Sequence, residues 1–186
     1  MKLVALDLPG AHLVELEPHV DDRGFFVRTW CSKEFGAAGL PSEIVQTNLS
    51  QTAERGAIRG MHYQRPPSRE GKVVRCLRGG IYDVIVDIRP DSPGFLRHFG
   101  VGLSPSNRLA LYIPPGFAHG FQTLEPETEV WYQMTDYYQS GLGGGMRWND
   151  PALGIDWPLE PSTMNERDAA YPDLTPDDFD FFRGFL

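Results

Sequence analysis

The run "KVVRCLRGGIYDVIVDIRP", residues 72–90, decides how this chain reads. Valine recurs through both halves and isoleucine and tyrosine join it in the second, each half is short, and glycine and proline bound them, which is the texture of β-strands. Gly79-Gly80 in the middle predicts a hairpin turn, because glycine tolerates the positive φ that tight hairpins need. The same texture continues outward, through "FFVRTW", "EIVQTNLSQT" and "AIRGMHYQ" upstream and "FLRHFGVGLS", "LALYIPPGFAHGFQTL" and "EVWYQMTDYY" downstream. Turn signals separate these runs about every 8–12 residues, and the 20 glycines and 16 prolines supply them. Helix signals are few: Ser32 is placed to cap "KEFGAAGL", and Thr175-Pro176-Asp177-Asp178 to open a short terminal helix. The expectation is an all-β sandwich, jelly roll or small barrel with a few short peripheral helices.

A length of 186 residues suits one domain spanning 1–186, with no repeat or linker to divide it, although "QSGLGGGMR" is a candidate flexible loop. The net charge of −8, without a basic stripe, argues against a nucleic-acid partner. The opening "MKLVALDLPGAHLVEL" is too polar and too soon broken by Pro9 and Gly10 for a signal peptide, and no apolar run reaches membrane-spanning length. The expectation is a cytoplasmic chain with no membrane partner. Cys31 and Cys76 lack CxxC spacing and are expected as reduced thiols.

Strand phase brings chemistry in. In "KVVRCL" the period of two puts Lys72 with Val74 and Cys76, and in "EVWYQM" it groups Val130, Tyr132 and Met134. If those faces point inward, a lysine and a phenol enter the barrel; periodicity alone equally allows a lysine at the strand mouth and a core tyrosine with a satisfied hydroxyl. Two imidazoles stand out. His119 in "IPPGFAHGFQT" resembles the second motif of the cupin superfamily, and "GAIRGMHYQ" with Glu70 and Gly79 resembles the first. Metal-binding cupins draw an HxH pair and a glutamate from the first motif and a third histidine from the second. Here Tyr63 and Gln64 follow His62, so only His62, Glu70 and His119 remain as ligand candidates. Glutamine replaces imidazole poorly at a transition metal. A histidine without a metal is free to act as a base near neutral pH, and with a phenol and an amine nearby it suits proton abstraction beside a carbonyl.

An ordered series of motifs then resembles the dTDP-4-dehydrorhamnose 3,5-epimerase family: "DDRGFF", "QTNLSQT", "IRGMHYQRPP", "KVVRCLRGGIYDVIVDIR", "LYIPPGFAHGFQTL", "YQMTDYY", "RWNDPALGIDWP" and "NERD". Each is weak alone; in order, over nearly the whole chain, they are a strong signal. The resemblance implies a cupin-type jelly roll (double-stranded β-helix), a homodimer, a nucleotide-diphosphate sugar substrate, and no metal or other cofactor. Carried over residue by residue, it makes His62 the catalytic base oriented by Asp168, Tyr132 the acid on the opposite face of the sugar, and Lys72 the cation near the ketone oxygen. It places Arg23, Arg59 and Arg167 by the phosphates, Gln46, Asn48 and His119 as polar substrate contacts, and Tyr138 with Phe26 at the nucleotide base. Read without the family, Arg23 and Arg167 are ordinary solvated surface charges. Two positions depart from the pattern, Arg28 and Gly143 standing where glutamates are usual, which leaves the base open. Whether C3, C5 or both invert is equally open. The rival readings are a metal-dependent cupin oxygenase or isomerase using His62, Glu70 and His119, and a non-catalytic sugar-nucleotide-binding module.

Overall fold

The computed structural model describes residues 1–175, 177, 178, 182 and 184. Its elements run in the order β1 (Lys2–Ala5), β2 (His12–Glu15), β3 (His19–Asp21), β4 (Gly24–Phe26), α1 (Ser32–Ala37), β5 (Gln46–Thr52), β6 (Ile58–Gln64), β7 (Lys72–Arg78) and β8 (Ile81–Asp87). They continue with β9 (His98–Leu103), β10 (Ala110–Ile113), β11 (Phe117–Thr123), β12 (Thr128–Met134), β13 (Gly143–Gly145) and α2 (Glu166–Ala169). One sheet has the order β1-β2-β10-β7-β12-β5, the other β13-β6-β11-β8-β9, and β3 with β4 forms a separate two-stranded ribbon. All pairings are antiparallel. From β5 to β12 the chain passes back and forth between the two sheets, so that most consecutive strands face rather than pair with each other; this is the winding of a jelly roll.

That winding corrects one expectation. Gly79 does take a positive φ, +74°, but β7 and β8 lie in different sheets, so Gly79-Gly80 is a crossover between sheets rather than a hairpin turn. A Cβ on Gly79 would come within 2.3 Å of Thr128 Oγ1, so packing as well as φ fixes the glycine. Of "FFVRTW" only the two phenylalanines are in a strand, while β1, β2, β3 and β13 arise where no strand was expected. Ser32 is the first helical residue of α1 and not its cap; Cys31 holds that position without a side-chain hydrogen bond. At the other end, the backbone N–H and hydroxyl of Thr175 both donate to Asp178 Oδ2 at 2.8 Å, and Asp177, Asp178 and Phe182 are helical. The other positions of that expected helix, Pro176 among them, lie outside the described residues.

The core between the sheets collects Val74, Cys76, Ile81, Ile85, Leu111, Phe117, Phe121 and Val130. Val84, Val86 and Ile88, on the opposite face of the β8 segment, join Met61, Ala118 and Met146 in a second cluster on the outside. A strand buried on both faces reads as an unbroken apolar run, which is why "IYDVIVDI" shows so little alternation. A third cluster, Val14, Phe35, Val73, Ala110 and Tyr112, covers the outer face of the six-stranded sheet along β2, β10 and β7 with help from α1.

Candidate active site

Strands of both sheets line a cleft of about 270 Å³ whose lining includes Asn48, Arg59, His62, Lys72, His119, Tyr132, Tyr138 and Arg167. His62 enters from β6 in the five-stranded sheet and Tyr132 from β12 in the six-stranded one, so imidazole and phenol belong to opposite walls. Arg59 and His62 are three residues apart, a spacing that in a regular strand sends side chains to opposite faces. A β-bulge brings them together. Opposite His62 stands His119 and opposite Arg59 stands Phe121, leaving Gly60 and Met61 against Gly120 alone. Gly60 has φ +137°, and a Cβ there would lie 2.4 Å from the Gly120 Cα, so the close approach admits only glycine.

His62 Nε2 lies 2.7 Å from Asp168 Oδ1, with the Asp168 side chain fully buried and the imidazole one-third exposed. The Gly60 N–H donates to Asp168 Oδ2 at 3.2 Å, and the Asp168 N–H donates to the capping Asn165 Oδ1 at 2.7 Å, which fixes the start of α2. Burial pushes the Asp168 carboxyl upward, but the His62 hydrogen bond and charge, the Gly60 N–H and the Arg167 charge outweigh it and hold the group below its ordinary value. The carboxylate therefore accepts the Nε2 proton, and Nδ1 is left as the basic nitrogen of the ring. Arg167 sits alongside, its Nε 3.6 Å from Asp168 Oδ1.

On the other wall the Tyr132 hydroxyl is 3.2 Å from Ser50 Oγ, and burial pushes it up to about 12, so it remains a proton donor at neutral pH. Lys72, the inward-facing residue whose place periodicity left open, is mostly buried and pairs with Glu70 at 3.2 Å. Arg59 is held by Thr52 Oγ1 at 2.9 Å and the Gln51 carbonyl at 3.0 Å. Gln46 does not itself line the cleft but touches two residues that do, donating to Asn48 Oδ1 at 3.1 Å and accepting from the Tyr138 N–H at 3.3 Å. Of the expected site residues, two are not brought here. Arg23 and Phe26 sit on the β3–β4 ribbon; Arg23 is 90% exposed and paired with Asp21 at 2.6 Å, and Phe26 is 76% exposed. The ribbon pairs only with itself, so no strand ladder carries it to its own cleft.

Sequence reasoning missed Asp83, whose Oδ1 is 2.7 Å from His119 Nε2 with both side chains buried, making a second histidine–carboxylate pair beside the first. Its signal was legible, since a carboxylate inside the apolar run "IYDVIV" has to find a partner. Ser50 carried no such signal. The three metal-ligand candidates are each engaged elsewhere, His62 by Asp168, His119 by Asp83 and Glu70 by Lys72. Among the described residues no three His, Cys, Asp or Glu side chains converge on a point that could hold a metal ion.

Fold and cleft together define a cupin-type jelly roll whose cleft sets a histidine–aspartate pair across from a phenol. Residues 5–176 match the model of the dTDP-4-dehydrorhamnose 3,5-epimerases, and the chain belongs to that family. It is 38% identical over 169 residues to the dTDP-4-dehydrorhamnose 3,5-epimerase of Shigella flexneri, covering 90% of this chain and 93% of that protein. Among solved structures it resembles the Bacillus anthracis dTDP-4-dehydrorhamnose 3,5-epimerase with TDP and PPi bound, at TM-score 0.89 and 40% identity, covering 93% of this chain and 99% of that one. The Legionella pneumophila dTDP-6-deoxy-D-glucose-3,5-epimerase in complex with dTDP-4-keto-L-rhamnose is similar at TM-score 0.88 and 35% identity, with 96% of each chain covered.

Proposed function

We propose that this chain is an isomerase that inverts C3, C5 or both in a dTDP-linked 4-keto-6-deoxyhexose without a cofactor, residues 1–186 acting as one domain. The observation that carries this reading is the His62–Asp168 pair on one wall of the cleft with the Tyr132 phenol on the other. Hydrogens at C3 and C5 flank the C4 ketone, so removing either leaves an enolate whose charge rests on oxygen. His62 takes the proton through Nδ1 while Asp168 stabilises the imidazolium, and Lys72 stabilises the developing oxyanion. Tyr132 returns a proton from the opposite face, which inverts the centre. Arg59 and Arg167 offer guanidinium forks to the diphosphate, and Tyr138 offers an exposed ring to the base.

The working unit in this reading is a homodimer in the cytoplasm. Three observations support a second copy: Arg23 and Phe26 line no part of their own cleft, β5 is an open edge of its sheet, and Arg75 is 6% exposed with Nε and Nη2 lacking any acceptor among the described residues. A ribbon reaching across to the other copy would deliver Arg23 and Phe26 to that copy's cleft. Both cysteines are free thiols, in keeping with a reducing compartment.

The test is incubation with dTDP-4-keto-6-deoxyglucose in heavy water, followed by mass spectrometry. Deuterium is expected at C3, C5 or both, and His62→Ala is expected to slow its entry by about 10²–10⁴-fold. Undiminished exchange in the variant would remove His62 from the mechanism. Tight binding of the sugar nucleotide without exchange in the native protein would favour the binding-module reading.

A further inference from the structure

A two-group inversion leaves the enzyme in a different protonation state from the one it began in. His62 ends with the proton taken from carbon, and Tyr132 ends as a phenolate. Each must return to its starting form before the next inversion. His62 is one-third exposed in the cleft and can shed its proton to water there. Tyr132 is less free, because a sugar seated between the two walls separates its oxygen from the cleft water.

Among the described residues the hydrogen-bond partner of the Tyr132 hydroxyl is Ser50 Oγ, 3.2 Å away. Ser50 is on β5, the edge strand of its sheet, opposite Val130 and one inward-facing position from Asn48, which faces Tyr132. Its hydroxyl meets the phenol, and the residue is half-buried in the single chain, not sealed from solvent. A serine hydroxyl carries one donor and two acceptor positions and rotates between them. It can therefore accept from the phenol before the reaction and donate to the phenolate after it.

We propose that Ser50 is the positioning and proton-relay residue of Tyr132, an inference that rests on the epimerase reading. When the carbanionic carbon takes the phenol proton, the O–H bond of Tyr132 breaks and a C–H bond forms, leaving the phenolate. The Ser50 O–H then gives its proton to the phenolate oxygen as its own oxygen takes one from water. The resulting hydroxide is neutralised by the proton that the His62 imidazolium releases, so the cycle closes with no net charge and no other reactant.

Turnover of dTDP-4-keto-6-deoxyglucose by the native protein, Ser50→Ala and Ser50→Thr in mixtures of light and heavy water tests this. Ser50→Ala is expected to lower kcat about tenfold or more with KM within about threefold, and Ser50→Thr, which keeps a hydroxyl, to recover most of it. The dependence of kcat on deuterium fraction is expected to be curved in the native protein, where more than one proton moves, and linear in Ser50→Ala. Native kcat in Ser50→Ala, or a lowered kcat with an unchanged isotope dependence, would overturn the relay. Native protein that exchanges no deuterium at all would overturn the epimerase reading together with this inference, whereas normal native exchange with an unaffected Ser50→Ala would overturn this inference alone.

Discussion

Asp168 shows how one carboxylate serves both fold and chemistry. It receives the Gly60 N–H from β6 and the His62 ring nitrogen, while its own N–H is capped by Asn165, so a single residue ties the C-terminal segment to the strand that carries the base. Its carboxyl is held below the ordinary value, which for an unfolded aspartate is about 3.9. A group with a depressed folded pKa contributes stability that is fully present above the unfolded value and is lost as pH falls through the lower folded one. Asp168→Asn is therefore expected to melt below the native protein at pH 6 to 7, with the gap closing in melts performed progressively further below pH 4. A gap that stays constant across that range would show that the charge of Asp168 is not what stabilises. The same variant loses the anionic acceptor that sets the imidazole tautomer, so its deuterium exchange should fall by about 10²-fold or more at neutral pH. Cys76 is a contrasting case: burial pushes its thiol up to about 11, and it acts as core rather than chemistry.

At the scale of the element, the bulge in β6 sets the site. Without it, Arg59 and His62 would face opposite sides of the sheet. The extra residue is absorbed by Gly60 and Met61; Met61 turns its side chain to the outer cluster and exchanges backbone hydrogen bonds with Met146 at 3.3 and 2.9 Å. Gly60→Ala would place a methyl against the Gly120 backbone at a positive φ. The strained φ costs about 1–3 kcal/mol and the overpacking a similar amount, so urea unfolding should show a loss of several kcal/mol if the protein folds. A loss under about 0.5 kcal/mol, the range of an ordinary surface change, would mean that the bulge relaxes freely. The crossover at Gly79-Gly80 teaches a related point. Two adjacent strand patterns with a glycine pair between them look alike whether they pair within a sheet or face each other across a core, because local sequence encodes the turn and not the partner.

For the whole molecule, the outer face of the six-stranded sheet is unfinished. Leu49, Trp131 and Arg75 form one row across β5, β12 and β7, with Leu49 60% exposed and Arg75 buried with Nε and Nη2 lacking an acceptor among the described residues. Phe25, Phe26 and Val20 on the ribbon are exposed as well. Apolar surface of this kind beside a guanidinium with two unsatisfied nitrogens is what a second copy would cover. Phe26→Asp is expected to shift sedimentation from dimer to monomer mass and to raise KM, since the ribbon would no longer reach the neighbouring cleft. Native protein sedimenting as a monomer would remove the homodimer from the proposed function.

By itself the sequence determined the all-β class, the strand runs from residue 46 to 134, and several of the side chains that meet at the cleft, His62, Lys72, His119 and Tyr132 among them, because strand periodicity, turn residues and ordered motifs are local properties of the chain. Tertiary structure alone decided that β7 and β8 part to opposite sheets, that Arg59 and His62 share a face, that Asp83 partners His119 and Ser50 partners Tyr132, and that Arg23 and Phe26 stand away from their own cleft. These depend on which strand lies beside which, and that is settled by burying apolar faces between residues far apart in sequence, where no local pattern is written.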